Sequence, residues 1–209
     1  MELSDKDRCR IIVPEFRVAF PALFKPSAMP GAKPKYAVTM LYSKDYDIIG
    51  VCPKTKKPRT LKQVIRNAKT VAFGENKKKW PKGLVSPVND GDVPNKKGEI
   101  PEGFAGHWAI KATSSEDRPP KVLGPDKEPL EKASDIPPGC YARAILFCRV
   151  WEFGGTQGVQ FILDGIQKSD RKFKSFGGRK NAEDVFEPWT VEEDSDDTED
   201  DENDDGGDF

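Results

Sequence analysis

Residues 140–167 read CYARAILFCRVWEFGGTQGVQFILDGIQ, two apolar, alternating runs joined by a glycine-rich link, GGTQG. A connection of that kind between two such runs predicts a β-hairpin, with strands over 140–153 and 159–167. Side chains alternate across a strand, so Ala142, Ala144, Leu146, Cys148 and Val150 share one face. Tyr141, Arg143, Ile145, Phe147, Arg149, Trp151 and Phe153 share the other. The first face is small and apolar, as a core requires. The second interleaves arginine with aromatic rings, which admits two readings. One is a half-buried surface under a loop or subunit, its arginines reaching outward to water. The other is a platform on which unpaired bases stack, at roughly 1–3 kcal/mol each, while cations track the phosphates. The strand alone does not choose between them.

Upstream, residues 10–20 and 35–42 are rich in β-branched and aromatic side chains and are separated by PALFKPSAMPGAKP, as in a long hairpin. Tyr36 and Tyr42 share a face with Val38 and Met40 and are assigned to the core. Residues 107–113 make a shorter strand, flanked by Phe104 and Trp108, for about five in all. One helix is expected after Pro58. Thr60 and Gln63 form a capping box, Leu61, Val64, Ile65, Ala68 and Val71 recur at helical spacing, and Gly74 stops the run. Lys62, Arg66 and Lys69 occupy its opposite face. Proline, glycine and lysine crowd residues 77–103, and 114–138 is similar, so both are expected as loops. Five strands, one helix and long loops predict a mainly β chain, an OB-like five-stranded barrel rather than a sandwich.

The 209 residues are enough for one core without staples, and the net charge of −1 conceals two opposite segments. Residues 192–209 hold 12 of the 35 acids and no base, which leaves 34 bases against 23 acids before them, a net of +11. No apolar run approaches the roughly 20 residues that cross a bilayer. The charged first ten residues do not read as a secretory signal, so a cytoplasmic protein is expected. The four cysteines, Cys9, Cys52, Cys140 and Cys148, contain no C-x-x-C pair, and His107 is the only histidine, so no metal or other cofactor is expected. The cysteines should remain thiols, with Cys140 and Cys148 in the core. Asp164 and Glu152 stand alone in their strands, and no phosphate-cradling or zinc-protease motif occurs, which argues against an enzyme and against a metal-dependent nuclease in particular.

Two further clusters repeat the mixture of cation and ring. Lys77, Lys78, Lys79 and Trp80 lie in a loop, with Lys82 close behind, and Arg171, Lys172, Phe173, Lys174 and Phe176 follow the last strand. Several such clusters on a domain of net +11 are the footprint of a nucleic-acid surface. The candidate DNA contacts are therefore Lys77, Lys78, Lys79, Trp80, Lys111, Arg143, Phe147, Arg149, Trp151, Arg171 and Lys172. Residues 1–190 read as the binding domain and 191–209 as a disordered acidic tail, because like charge with few apolar side chains cannot offset the entropy of ordering. A polyanion tethered to a cationic groove imitates nucleic acid and is displaced by it. Asp204, Asp205, Asp208 and Phe209 would then be released to a partner. The competing reading is an assembly scaffold in which basic and acidic segments pair between subunits.

The opening IIVPEFRVAFPALFKP, the closing hairpin and the final DDGGDF resemble the replication single-stranded DNA-binding proteins of tailed bacteriophages. The resemblance implies an OB fold, sequence-independent binding of single-stranded DNA in replication, recombination and repair, and no catalysis. It also implies a monomer or homodimer, a place in the host cytoplasm, and a tail that contacts DNA polymerase or helicase-primase.

Overall fold

The computed structural model describes residues 3–28 and 31–176. In chain order they form α1 (Asp5–Arg8), β1 (Arg10–Ser27), β2 (Lys35–Ser43), β3 (Ile49–Val51), β4 (Pro58–Thr60), α2 (Leu61–Phe73), β5 (Val88–Asp90), β6 (His107–Ser115), β7 (Lys121–Leu123), β8 (Tyr141–Phe153) and β9 (Thr156–Lys168). The acidic segment 191–209, with Asp204, Asp205, Asp208 and Phe209, lies outside the described residues, as does the boundary expected at 190.

β1 contains three prolines, which a central strand normally excludes because each removes a ladder donor. All three sit at register shifts, Pro26 between Ala22 and Ser27 in the pairing with β2. The register with β8 shifts between Val13 and Phe16, around Pro14. The register with β2 shifts between Ala19 and Ala22, around Pro21. A bulge bends its strand and increases local twist. The bent strand gives its first half to β8, from Arg10 opposite Phe147 to Arg17 opposite Tyr141, and its second half to β2, from Arg17 opposite Leu41 to Ser27 opposite Lys35. β2 pairs antiparallel with β6, β6 runs parallel to β9, and β9 pairs antiparallel with β8. The circuit β1–β2–β6–β9–β8–β1 is a closed five-stranded barrel, OB-like in topology. Residues 21–27, expected in a loop, are thus strand, because the bulges accommodate the prolines.

Three-residue strands extend this circuit. β3 pairs with β1 and carries β4, β5 pairs with β6, and β7 pairs with β9. The stretches expected as loops at 77–103 and 114–138 therefore contain β5, β7 and two short 3-10 turns. Among the described residues, the edge strands β4, β5 and β7 are each three residues long. The turn between β8 and β9 is shorter than GGTQG suggests. Gly154 and Gly155 alone make it, at φ of 56° and 75°, and the remaining residues already belong to β9. Positive φ at both positions is what a two-residue hairpin turn demands.

Inside the barrel, Ile11, Val13, Phe16 and Val18 of β1 meet Val38 and Met40 of β2, Ala142, Ala144, Leu146 and Cys148 of β8, and Phe161 and Leu163 of β9. The small face of β8 is buried and its arginine-bearing face is not, as the alternation predicts. α2 joins the same core through Leu61, Val64 and Ala68. Its capping box is complete: Gln63 N donates to Thr60 Oγ1 at 3.1 Å and Thr60 N to Gln63 Oε1 at 2.9 Å. Val71, read as part of the apolar face, is instead exposed, at the rim of a shallow apolar cavity between the last turn of α2 and β8. All four cysteines are buried free thiols. Burial raises Cys140 to about 11 and Cys148 further still, so neither ionises near neutrality.

Phe161 is fully buried at the centre of this core. Phe161→Ala is expected to lower the unfolding free energy by about 3–5 kcal/mol through lost transfer energy and the cavity left behind. Urea titration of the variant measures it, and a loss below about 1 kcal/mol would contradict this packing.

Candidate nucleic-acid interface

Strand register decides which outward side chains become neighbours. On β8, Phe147 faces Ile162 of β9 and Arg149 faces Gln160. Thr113 of β6 lies opposite Ile162 from the other side. Lys111 precedes it by two residues on the same face and pairs with Thr39 of β2. Beyond β8, Arg10 of β1 stands opposite Phe147. The outer face of β9 is consequently the floor of a trough with β8 on one side and β6 on the other. α1 contributes Lys6, the start of β2 contributes Lys35, and the loop after β6 contributes Arg118.

The trough has a volume of about 260 Å³ and brings five cations, Lys6, Arg10, Lys35, Arg118 and Arg149, around the half-buried ring of Phe147. One carboxylate lies among them, that of Asp164, and Arg10 Nη2 donates to it at 2.8 Å. That pair cancels one charge of each sign and leaves four positive charges in excess. Arg149 is aligned along the floor by the Gln160 amide oxygen, which accepts from its Nη2 at 3.0 Å and its Nε at 2.8 Å once the amide is turned to face the guanidinium. A cation held this way keeps its remaining donors pointed at a ligand with less entropy to lose. Geometry and charge together suit a polyanion bearing flat apolar groups.

Trp151 continues the same face of β8. Its ring lies across Gly158, its partner on β9, where an added Cβ would stand 2.8 Å from Cε2, Cζ2 and Nε1 of the indole. Only a glycine permits that seat. The ring stays half-buried, with Phe153 exposed at the hairpin end beyond it. Register thus brings Lys111, Phe147, Arg149 and Trp151 onto one surface.

The remaining candidates lie elsewhere. Arg143 shares the face of β8 but sits at its start, where its Nε and Nη2 donate to Gln167 Oε1 at 2.9 and 2.8 Å. Gln167 in turn donates to the carbonyls of Gly124 and Pro125, so Arg143 braces a loop. Lys77, Lys78 and Lys79 form an exposed 3-10 turn after α2. Trp80 closes that turn with its backbone N–H on the Lys77 carbonyl at 3.2 Å, and its indole N–H donates to the Gly74 carbonyl at the end of α2 at 2.8 Å. Val85, a few residues on, is bonded to β9 on either side of Gly158.

Arg171 and Lys172 lie on a strap, residues 169–176, that folds over a different part of the barrel. Phe176 covers Ala19, Leu41 and Ala109. Arg17 sits 4.0 Å from the Phe176 ring centroid and donates to the Lys174 carbonyl at 2.9 Å. Arg171 stacks 4.1 Å over Tyr141 and donates to Glu15 at 2.8 Å, a bond that holds its guanidinium above its ordinary pKa. The trough cations Lys6, Arg10, Lys35 and Arg118 escape a reading based on neighbouring rings, since each comes from a different element and only pairing assembles them. Alternation along residues 10–13 was the single available signal, and it marks Arg10 as outward.

A family model described as the single-stranded-DNA-binding protein of Enterobacter phage Enc34 matches residues 9–200. Among solved structures, the bacteriophage Enc34 single-stranded DNA-binding protein in complex with single-stranded DNA superposes with a TM-score of 0.61 at 23% identity, covering 85% of this chain and 97% of that one. The same phage protein in a second structure gives 0.59 at 23%, covering 90% and 97%. The bacteriophage T7 single-stranded DNA-binding protein gp2.5 gives 0.53 at 13%, covering 88% and 98%. At these identities the structures establish the shared fold. No curated protein sequence matches the chain.

Gly158→Ala is expected to push the Trp151 ring off the sheet. The readout is a red shift in tryptophan emission, with about 1–3 kcal/mol lost in urea unfolding as in other overpacked sites. An unchanged spectrum and midpoint would show that the ring is not seated there.

Proposed function

The chain belongs to the phage single-stranded-DNA-binding family represented by the Enterobacter phage Enc34 protein, and on that premise we propose that it binds single-stranded DNA, without sequence preference, along the outer face of β9. The observation that carries this reading is the trough itself, four uncompensated cations around Phe147 with Trp151 farther along the same face. Unpaired bases offer π-faces to those rings and the phosphates meet the cations. Neither contact reads base identity, which accounts for the absence of sequence preference. The lysine turn at 77–79 supplies further phosphate contacts beside the Trp151 end. Lys172, on the strap, contributes to the general positive field, and Arg171 beside it is held by Glu15. Arg143 acts as a brace for residues 124–125.

The protein acts by binding and not by turnover, in phage DNA replication, recombination and repair within the host cytoplasm. Residues 192–209, with 12 acids and no base, compete with DNA for the trough and, when displaced, engage a DNA polymerase or helicase-primase. This supports a division of labour between the cationic barrel and the acid-rich segment.

Arg149→Ala should weaken binding of all single-stranded sequences alike, and should flatten the slope of log affinity against log salt by roughly 0.7, the release from one phosphate contact. Anisotropy titrations of single-stranded and duplex oligonucleotides at several salt concentrations measure both, and an unaltered slope would remove Arg149 from the interface. Deleting residues 192–209 should tighten binding, most at low salt where screening is weakest. Equal affinities for the full and shortened chains would refute the competition.

A further inference from the structure

A second surface on the barrel carries an aromatic ring that the fold does not need there. Phe20 lies in the bulge of β1. Ala19 pairs with Thr39 and Ala22 with Ala37, so Phe20 and Pro21 together oppose the single residue Val38. The extra residue breaks the alternation and turns Phe20 outward, where it is 62% exposed. Its φ is +46°, one of three positive values at non-glycine residues among those described. A bulky aromatic in the left-handed region is an outlier that persists only when its surroundings impose it, and such outliers gather at functional sites. If the bulge served barrel closure alone, glycine or asparagine would adopt this backbone with less strain and expose no ring.

The ring is propped as well as exposed. Phe104 lies 5.5 Å away, centroid to centroid, tilted by 43°. Phe104 in turn packs on the buried patch of Ala19, Leu41 and Ala109. A cation stands between this pair and the trough. Thr39, the partner of Ala19, is also the partner of Lys111 on β6, so Lys111 is two strands from the bulge, about 10 Å at ordinary strand spacing. On its other side β6 borders β9, the trough floor.

We propose that Phe20, supported by Phe104, is a second base-stacking post, on which a single strand leaving the trough past Lys111 lays an unpaired base. The inference rests on the reading of the trough as a single-stranded DNA site and extends its path across β6 and β2 to β1. A strand long enough to reach both stations gains the stacking of one more base, whereas a short one fills only the trough. The exposed cation of Lys111, on the way to the post, favours a polyanion here over an apolar protein segment.

Two full-length variants test this, Phe20→Ala and Phe20→Gly, titrated with oligothymidylates of about 4 and about 16 nucleotides, the span of site sizes on one OB fold. Phe20→Gly relieves the strained backbone, so its thermal midpoint should rise. Its affinity for the longer oligonucleotide should nevertheless fall roughly tenfold, within the range of one lost stacking contact, and its affinity for the shorter one should not change. Phe20→Ala should lose the same affinity without the thermal gain. A merely structural residue would not move stability and affinity in opposite directions. If wild type binds both oligonucleotides and the variants match it on the longer one, this inference is overturned and the trough stands; a protein-docking role for Phe20 gives that same result. If wild type binds neither, the trough reading falls and this inference with it.

Discussion

Closure of the barrel depends on one strand pairing with two neighbours that lie on different sides of it. β1 does so because bulges at Pro14 and Pro21 bend the strand where proline has already removed a ladder donor. Arg17, between the bulges, belongs to both pairings, opposite Tyr141 on β8 and Leu41 on β2. A straight strand of 18 residues would extend past the barrel and leave β2 or β8 with an open edge. The same bends set the phase of every outward side chain on β1. Arg10 and Ile12 face out before the first bulge, Arg17 after it, and Phe20 at the second.

Arg17 also divides the outer surface. Its guanidinium donates to the carbonyls of Gly139 and Lys174 and lies over the rings of Phe176 and Tyr141. Gly139 makes that approach possible, because a Cβ there would stand 2.4 Å from the Lys174 carbonyl, and its φ of +92° suits glycine alone. The strap consequently covers Ala19, Leu41 and Ala109 and leaves the face of β9 open. Arg171 on the strap is engaged by Glu15 and Tyr141, whereas the trough cations face a single carboxylate already paired with Arg10. The two basic regions are similar in composition and differ in what their charges can still attract.

Much of the architecture was legible without coordinates. The β8–β9 hairpin, the buried and outward faces of β8, the capping box at Thr60 and Gln63, and the free cysteines all follow from local rules of period, capping and composition. What local reading could not supply has a common cause as well. Residues 21–27 read as a loop because prolines there argue against a strand until a bulge excuses them. Trp80 is marked as a candidate contact by its lysine neighbours, and only the coordinates show that its indole N–H bonds to the end of α2. Arg143 looked equivalent to Arg149 on the same face, but Gln167 bonded to the 124–125 loop faces one and Gln160 on the trough floor faces the other.

The sequence by itself determined the local alternation of faces, the opposite charges of the barrel and of residues 192–209, and the presence of rings among cations. Only the tertiary structure decided which of those cations share a surface. Lys6, Arg10, Lys35, Arg118 and Arg149 come from five separate places in the chain and converge through strand register. Register is set by bulges and by the parallel contact of β6 with β9, which are long-range pairings that no local spacing encodes. Period along a strand says which way a side chain points; pairing between strands says what it points beside.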